Sequence, residues 1–296
     1  MQKMKCGYVA LIGRPNVGKS TLMNHMLKQK ISITSRKPQT TRHRILGINT
    51  FADGQIIYVD MPGMHSGGKR ALNRYLNRAA DTALLGVDVV VWLLDGLYWH
   101  DYDEVIVKKL EQAGLPVVLA VNKVDKIKDK DAILAFFDQA QHRFPFKHLM
   151  PISALKQINL DEFEKMLIAL LPEREPFYPD DQVTDKSERF LCAEIIREKL
   201  TRRLGDELPY ALTVEIERYQ ENATITKIYA LIWLEKLSQK NIVIGENGEV
   251  LKKVGTDARH DIEKMLDKKV YLQLWVKVKK GWSDNERVLQ NLGFND

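Results

Sequence analysis

The stretch that decides the fold is Gly13-Arg14-Pro15-Asn16-Val17-Gly18-Lys19-Ser20, followed at once by Thr21. It matches the phosphate-binding pattern G-x-x-x-x-G-K-[ST]. An apolar run at residues 8–12 predicts a strand before it, and the spacing of residues 21–27 predicts a helix after it. Glycines let backbone N–H groups close around phosphates at the positive end of a new helix. The stretch therefore predicts an α/β P-loop domain, with Lys19 on the β- and γ-phosphates and Ser20 on Mg²⁺.

A second motif, Asn122-Lys123-Val124-Asp125, follows the apolar run at residues 115–121. A carboxylate at Asp125 can accept hydrogen bonds from N1–H and the 2-amino group of guanine, whereas adenine would leave it unpaired. Further along, Ser153, Ala154 and Leu155 follow another short apolar run, and the Ala154 N–H is predicted to bind guanine O6. Each motif alone is typical of an ordinary turn. Their order along the chain predicts a site for GTP and GDP.

Two further stretches complete the predicted nucleotide site. Asp60-Met61-Pro62-Gly63 follows a buried strand, which predicts that Asp60 holds Mg²⁺ through a water and that the Gly63 N–H senses the γ-phosphate. Between the phosphate loop and this motif lie Thr40 and Thr41, one of which would close over the γ-phosphate and bind Mg²⁺. Thr41 is the preferred ligand. The predicted metal set is Ser20, Thr41 and Asp60.

The residue after Gly63 predicts that GTP hydrolysis is slow unaided. Ras-like enzymes have a Gln there to orient the attacking water, and this chain has Met64. A thioether cannot position a water by donating and accepting hydrogen bonds, so Mg²⁺, Lys19 and backbone dipoles would lower the barrier. Hydrophobic-switch GTPases with Asn in the position of Asn16 often bind a monovalent cation, which favours K⁺ as a second cofactor. The alternative, that Asn16 only stabilises the turn, stays open. The predicted catalytic set is Lys19, Asn16, Thr41 and Gly63.

The second half of the chain predicts a different domain. Prolines and charges at residues 175–186 predict a linker after a GTPase domain at 1–174. A helix from residue 187, strands at 211–218 and 224–234 separated by Gln220-Glu221-Asn222, a helix–Gly-x-x-Gly–helix unit ending near 266, and a strand at 270–279 follow. This order predicts a smaller α+β type II KH domain at 187–281, with a tail at 282–296. Such domains clamp about four single-stranded nucleotides against an apolar groove.

The predicted RNA-binding residues surround the Gly-x-x-Gly turn and the last strand. In this turn the middle pair is Glu246-Asn247, and an acidic side chain beside an RNA backbone should lower affinity unless it faces solvent or pairs with a neighbouring lysine. The set is Ile242, Ile244, Gly245, Glu246, Asn247, Gly248, Lys252, Lys253, Lys277, Lys279 and Lys280.

The chain resembles the Era family of bacterial ribosome-assembly GTPases, which pair a TrmE-Era-EngA-like GTPase domain with a KH domain. The resemblance runs from Gly7 to Lys280 and is most specific in GRPNVGKST, QTTRHR and VYLQLWVKVKK. It implies binding near the 3′ end of small-subunit ribosomal RNA and a role in maturation of that subunit. It also implies that GTP favours RNA binding and hydrolysis favours release. The middle pair of the Gly-x-x-Gly turn, usually basic in the family, is a departure.

Charge narrows the class of partner. Residues 1–175 carry 25 basic and 18 acidic side chains, whereas residues 176–296 carry 20 and 21, so the KH half is basic only locally. RNA rather than DNA is the expected nucleic acid. Cys6 and Cys192 lack metal-ligand spacing, which favours a reducing, cytoplasmic setting. No signal peptide is expected, and the apolar run at 84–94 is too short to span a bilayer. Peripheral membrane contact through basic patches stays open.

Two other functional classes compete with a GTPase switch. One is a GTP-gated RNA-binding scaffold with incidental turnover, which the thioether of Met64 favours. The other is a related translation GTPase acting on transfer RNA or on the large subunit. The single set of GTPase motifs and the KH end disfavour the latter.

Overall fold

A computed structural model describes residues 3–35, 37, 40–62, 72, 75, 84–205 and 212–291. The chain forms two compact units. The first contains Met1–Ser32, Thr41–His65 and Leu76–Asp185, and the second contains Ile33–Thr40, Ser66–Tyr75 and Lys186–Asp296. A short segment from the N-terminal half of the chain, residues 33–40, therefore belongs to the second unit.

The first unit is a mostly parallel sheet with strand order β2-β3-β1-β4-β5-β6, in which β2 is antiparallel to β3 and a short β7 is antiparallel to β1. Apolar runs buried on both faces, such as β3 and β5, are typical of sheets covered by helices. Its strands are β1 (Met4–Ile12), β2 (Ile45–Thr50), β3 (Gly54–Asp60), β4 (Val89–Asp95), β5 (Val117–Asn122), β6 (His148–Pro151) and β7 (Glu173–Arg174). The described helices are α1 (Lys19–Met26), α2 (Asp101–Ala113), α3 (Asp131–Gln141) and α4 (Leu160–Leu170).

The stretch predicted as a linker lies along β2 and β3 of the first unit. The backbone N–H groups of Phe177 and Tyr178 donate to Gln55 Oε1 at 2.9 and 3.2 Å. Further on, Ile48 N–H donates to the Val183 carbonyl at 2.9 Å. Hydrogen bonds to the sheet thus hold much of residues 177–185.

The second unit has a three-stranded sheet with order β10-β9-β8, in which β8 and β9 are antiparallel and β9 and β10 are parallel. Its elements are α5 (Glu188–Arg203), β8 (Leu212–Glu221), β9 (Ile225–Leu234), α6 (Leu237–Ile244), α7 (Glu249–Leu266), β10 (Lys269–Val278) and α8 (Glu286–Asn291). The order from α5 to β10 is the predicted one, whereas α8 lies in the segment predicted as a tail.

The predicted turn between β8 and β9 was wrong in its extent. Gln220 and Glu221 belong to β8, paired with Lys227 and Thr226. A register shift lies between Ile216 and Arg218, where a bulge adds a residue to β8 and changes which of its later residues face the core. Tyr219 then packs against the core, and the ladder continues.

The core of the second unit lies on one face of its sheet. Ile228, Ala230 and Ile232 of β9 are fully buried against α5 and α7 residues such as Ile196 and Ala258. On β10 the side chains of Leu272, Leu274, Val276 and Val278 pack against the same cluster. Alternate residues of β10 therefore face the core.

The C-terminal segment predicted as a tail folds onto this unit. Trp282 and Leu289 are buried, and Glu235 accepts hydrogen bonds from Gly281 N–H and Ser283 N–H, both at 3.0 Å. Of the helices in the described ranges, none combines the length and apolarity that crossing a membrane requires.

Candidate nucleotide site and nucleic-acid surface

The phosphate loop connects β1 to α1 at the carboxyl edge of the first sheet. Lys19 Nζ donates to the carbonyls of Gly13 at 2.9 Å and Arg14 at 3.0 Å, so its ammonium lies across the loop. Burial lowers the pKa of Lys19 to about 8, and the carboxylate of Asp60 acts in the opposite direction. A buried cation with only carbonyl partners is suited to an incoming anion.

The two loop glycines are required by close backbone contacts. Gly13 has φ +138°, and a Cβ there would lie 2.4 Å from the Leu93 carbonyl oxygen. Gly18 has φ +110°, and a Cβ would lie 2.3 Å from Asn122 Nδ2. Side chains at these positions would push the loop away from the neighbouring strands. Between them Arg14, Pro15, Asn16 and Val17 form the turn, and Thr21 lies in the first turn of α1.

Three of the predicted metal-binding groups come together around Asp60, at the end of β3. Its Oδ2 accepts from Ser20 Oγ at 2.6 Å and from Thr41 Oγ1 at 3.3 Å, and the two hydroxyls are 2.9 Å apart. Asp60 is fully buried, and among the residues that the structure describes its Oδ1 has no hydrogen-bond partner. Burial raises the pKa of Asp60, whereas the Ser20 hydroxyl and Lys19 lower it. An unsatisfied carboxylate oxygen beside two hydroxyls is a ligand set that fits Mg²⁺.

The two candidate threonines have different environments. Thr41 is 7% exposed and faces the Asp60 cluster. The hydroxyl of Thr40 instead donates to the Lys37 carbonyl at 2.6 Å, and its own carbonyl accepts from Arg197 Nη2. Of the two threonines, Thr41 is therefore the one whose hydroxyl lies beside the Asp60 carboxylate.

Helix α5 holds the segment containing Thr40. The guanidinium of Arg197 is 3% exposed and forms a bidentate pair with Glu194 at 2.6 and 2.7 Å. One turn on, Glu198 Oε1 accepts from the Thr34 N–H at 3.0 Å, and Arg202 Nε donates to the Thr34 carbonyl at 3.1 Å. Thr34 and Thr40 are thus held within the second unit by charged side chains of one helix.

The base end of the site contains the predicted guanine motif. Asn122 links the loops, since its Nδ2 donates to the Val17 carbonyl at 2.7 Å and its Oδ1 accepts from Ala154 N–H at 2.9 Å. Lys123 Nζ donates to the Asn16 carbonyl at 2.9 Å. Ser153 Oγ donates to Asp125 Oδ1 at 2.6 Å, which leaves the other carboxylate oxygen for a base.

The remaining predicted nucleotide-site residues differ in exposure. Met61 and Pro62 are buried after β3, and Leu155 is 65% exposed. Gly63 and Met64 lie outside the described residues.

Three further residues support this site without belonging to any predicted motif. Ser32 Oγ donates to Asp60 Oδ2 at 2.8 Å. At the end of β4, Asp95 pairs with Lys123, and in the first turn of α2 Asp103 pairs with Arg14 at 3.3 Å. Burial raises the pKa of Asp103, and the Arg14 charge lowers it. Only Asp95 had a sequence signal, as the polar residue that ends an apolar strand.

The predicted Gly-x-x-Gly turn joins α6 to α7. Gly245 has φ +78°, and a Cβ there would lie 2.5 Å from Val250 Cγ2. Glu246 and Asn247 are exposed, and within the described chain Glu246 forms no ion pair with Lys252 or Lys253. Those lysines are exposed in the first turns of α7. Before the turn, Ile242 is 54% exposed and Ile244 is half-buried, which leaves apolar surface beside it.

The predicted RNA-binding residues are not all on one face. Helices α6 and α7, which flank the turn, pack on the core side of the sheet. Lys277 and Lys279 lie over the ring of Trp233 at 5.9 and 5.6 Å, on the opposite side. Lys280 follows β10 and is exposed. Periodicity placed these lysines on the last strand, but only strand pairing shows that they face away from the helices.

Comparison with known families agrees with this architecture. A family described as "50S ribosome-binding GTPase" matches residues 8–123. A family described as "KH domain" matches residues 207–283. The two matches fall in the order that the motifs predicted.

Similar proteins extend the match to the whole chain. GTPase Era of Ectopseudomonas mendocina is 53% identical over 292 residues, covering 99% of this chain and 98% of the relative. GTPase Era of Marinobacter nauticus is also 53% identical, covering 99% and 96%. The crystal structure of an Aquifex aeolicus Era variant bound to GDP and aluminium fluoride superposes with a TM-score of 0.96 at 37% identity, covering 99% of this chain and all of the other.

A second crystal structure combines both kinds of ligand. It contains Era in complex with MgGDPNP and nucleotides 1506–1542 of 16S ribosomal RNA, and it matches with a TM-score of 0.95 at 37% identity over 99% of this chain. On the sequence relatives, the family matches and the full-length structural agreement, this chain belongs to the Era family of GTPases.

Proposed function

We propose that this protein is a GTP-hydrolysing switch that binds the 3′ region of small-subunit ribosomal RNA through its KH unit and assists maturation of that subunit. The GTP state binds RNA, and hydrolysis drives release. The observation that carries this proposal is the segment 33–40: α5 of the KH unit holds it, and the next residue, Thr41, donates to Asp60. The cytoplasm, where small subunits mature, is the compartment that this proposal implies.

Magnesium is the cofactor that the nucleotide site fits. Ser20 and Thr41 would ligate it directly, and Asp60, whose Oδ1 has no partner, would hold it through a water. When bound, Mg²⁺ neutralises charge that develops on the phosphates. Lys19 supplies a second positive charge from the loop, and the N–H groups around Gly18 orient the phosphates. Asp125, fixed by Ser153, selects guanine.

Coupling between nucleotide and RNA would pass along one stretch of backbone. Ligation by Thr41 restrains the position of Thr40, whose carbonyl accepts from Arg197. Any displacement of residues 33–40 would disturb buried charges at Arg197 and Glu198, which is costly in a low-dielectric interior. α5 therefore responds to whether the segment is held at the nucleotide.

The test measures binding of a single-stranded RNA matching the 3′ end of 16S rRNA. The protein is loaded with a non-hydrolysable GTP analogue or with GDP, across a salt series. We expect tight binding with the analogue, weaker binding with GDP, and a fall in affinity with salt. Absence of RNA binding in both states would contradict the proposal.

Arg202→Ala tests the coupling step, with Arg203→Ala as its matched control. Arg202 donates to Thr34, whereas Arg203, one residue on, pairs with Asp257. We expect Arg202→Ala to narrow the difference in RNA affinity between the two nucleotide states and Arg203→Ala to leave it unchanged. Equal effects of the two changes would argue against transmission through α5.

The scaffold alternative makes a different prediction. If turnover is incidental, RNA affinity would be independent of nucleotide, and variants that bind GTP without hydrolysing it would support full function. The held segment favours the switch, since a scaffold has no use for a nucleotide-linked restraint on α5.

Potassium is proposed as an activator through Asn16. The residue is exposed in the phosphate loop at φ +64°, and its backbone carbonyl accepts from Lys123. We expect faster GTP hydrolysis in KCl than in NaCl at equal ionic strength, and loss of the difference in Asn16→Ala. Equal rates in both salts would restrict Asn16 to a structural role.

A further inference from the structure

Helices α5, α6 and α7 pack on one face of the β8–β10 sheet, and the other face carries a group of aromatic side chains. Four aromatic residues lie there: Tyr229 and Trp233 on β9, and Tyr271 and Trp275 on β10. We call this surface the aromatic face. We propose that it binds unpaired RNA nucleotides by base stacking, as a second contact beside the Gly-x-x-Gly turn. The inference rests on the proposed RNA-binding function.

Strand register places these rings together. Tyr229 is paired with Gln273, whose neighbours along β10 on the same face are Tyr271 and Trp275. The centroids of Tyr229 and Trp275 are 5.9 Å apart with an interplanar angle of 18°, and those of Tyr229 and Tyr271 are 6.0 Å apart. Tyr229, Tyr271 and Trp275 thus form a continuous patch across two strands, and Trp233 lies on the same face of β9.

The aromatic face is accessible. Tyr271 is 46% and Trp275 is 39% exposed, which is unusual for large rings on a sheet. Leu231, which shares this face, is only 1% exposed and is absent from the core cluster on the other side. The rings therefore cover the sheet beneath them and keep their own outer surface exposed.

The charge around the rings suits a polyanion. Arg218 lies over Tyr229 at 5.8 Å, and Lys277 and Lys279 lie over Trp233. Register adds Lys227 beside Tyr271, and Lys269 at the start of β10. Two acids share the face: Glu215 accepts from Trp233 Nε1 at 2.8 Å, and Glu217 lies 3.4 Å from Lys277. Among the described residues, these five cations against two carboxylates make the face positive.

Aromatic rings interspersed with cations are what single-stranded nucleic-acid platforms use. Bases stack on the rings without sequence preference, and Lys and Arg neutralise the phosphates between them. A protein partner would instead gain from a continuous apolar patch depleted of lysine. Since this face is rich in lysine, the observations favour RNA.

The test compares a short RNA, long enough only for the turn, with a longer RNA that extends beyond it. Both are titrated against the full-length protein loaded with a GTP analogue. We expect Trp275→Ala to lower the affinity for the long RNA by about 5- to 100-fold, because the variant loses the stacking of one base. The affinity for the short RNA should stay unchanged. Trp275→Phe should recover most of the loss, since it keeps a ring.

Controls separate this inference from the proposed function. Tyr98→Ala removes a ring that is more exposed, at 73%, from the other unit and should change neither affinity. Gly245→Ala, in the turn, should lower the affinity for both RNAs. Ultraviolet cross-linking should attach the long RNA to the peptide containing Tyr271 and Trp275.

Two failures are distinguishable. If the wild-type protein binds neither RNA, the proposed function fails. If it binds both and Trp275→Ala binds the long RNA as tightly as the wild type, the aromatic face is not an RNA surface and the turn alone carries binding. A protein attached to that peptide in a ribosomal extract, with no RNA cross-link, would also overturn the inference.

Discussion

The nucleotide site and the aromatic face place polar and charged groups in opposite ways. Asp60, Lys19 and Asn122 are buried, and backbone or side-chain partners hold each at a defined position. Lys227, Lys277 and Lys279 are exposed on a sheet and are held only loosely beside rings. The first arrangement selects one ligand by geometry, because an unpaired buried group is costly. The second attracts a class of ligand by charge and stacking.

Among the variants proposed for the two surfaces, Asp125→Asn should have the largest effect, which is a change in the base that the nucleotide site prefers. Asp125→Asn keeps an acceptor for N1–H but places an NH₂ donor opposite the 2-amino group of guanine. We expect GTP affinity to fall by about 10⁴-fold and xanthosine triphosphate, which has a carbonyl there, to bind better than GTP. Competition titrations measure both, and Asp138→Asn, on the exposed face of α3, is the control. Unchanged preference for GTP would exclude Asp125 from base recognition.

Removal of a metal ligand should have the next largest effect. Ser20→Ala deletes a proposed ligand and should lower Mg²⁺-dependent GTP affinity by about 100-fold. Ser32→Ala deletes a hydroxyl that only orients Asp60, 2.8 Å away, and should cost about tenfold. Titration of GTP at several Mg²⁺ concentrations compares the two variants. A larger loss of GTP affinity in Ser32→Ala than in Ser20→Ala would indicate that Ser20 is not a metal ligand.

The Gly-x-x-Gly turn lies between the two extremes, being exposed but built from constrained backbone. Gly245→Ala brings a Cβ within 2.5 Å of Val250 and should weaken RNA binding by about tenfold. Gly248→Ala has open space around its Cβ at φ +79°, so only backbone strain applies and the loss should be smaller. Fluorescence anisotropy with the short RNA measures both. Equal losses would mean that strain, not the contact with Val250, shapes the turn.

The smallest effect is a pH dependence confined to the buried site. Lys19 has a pKa of about 8 in the free protein, and bound phosphates favour its charged form. GTP binding above that pKa therefore takes up a proton, and affinity should fall about threefold from pH 7.5 to 8.5. Calorimetric titration of GTP in buffers of different ionisation enthalpy measures the proton uptake that accompanies binding.

The same shift has a consequence for folding. Between pH 8 and 10.5, the ordinary pKa of Lys19, this side chain binds more protons in the unfolded chain than in the folded chain. The contribution of Lys19 to the stability of the free protein therefore rises with pH across that window. An affinity for GTP that stays constant between pH 7.5 and 8.5 would contradict the lowered pKa of Lys19.

Sequence reasoning succeeded where adjacent residues specify local backbone. The loop from Gly13 to Ser20, the Asn122–Asp125 motif and the Gly-x-x-Gly turn each lie at the element junction that their pattern predicted. It was wrong at Gln220 and Glu221, because β8 continues to pair with β9 beyond an upstream bulge, and no local sequence pattern predicts that bulge. It also missed Ser32 and Asp103, whose partners are distant in sequence.

The amino-acid sequence by itself determined the class of nucleotide, the order of the two units and the family, because those depend on short motifs whose geometry is local. The positions of Thr41 beside Asp60, of residues 33–40 in the unit of α5, and of Tyr229, Tyr271 and Trp275 in one ring cluster come from contacts between distant segments. Strand register and burial fix such arrangements. Both arise from pairing between segments far apart in the chain, which no local pattern specifies.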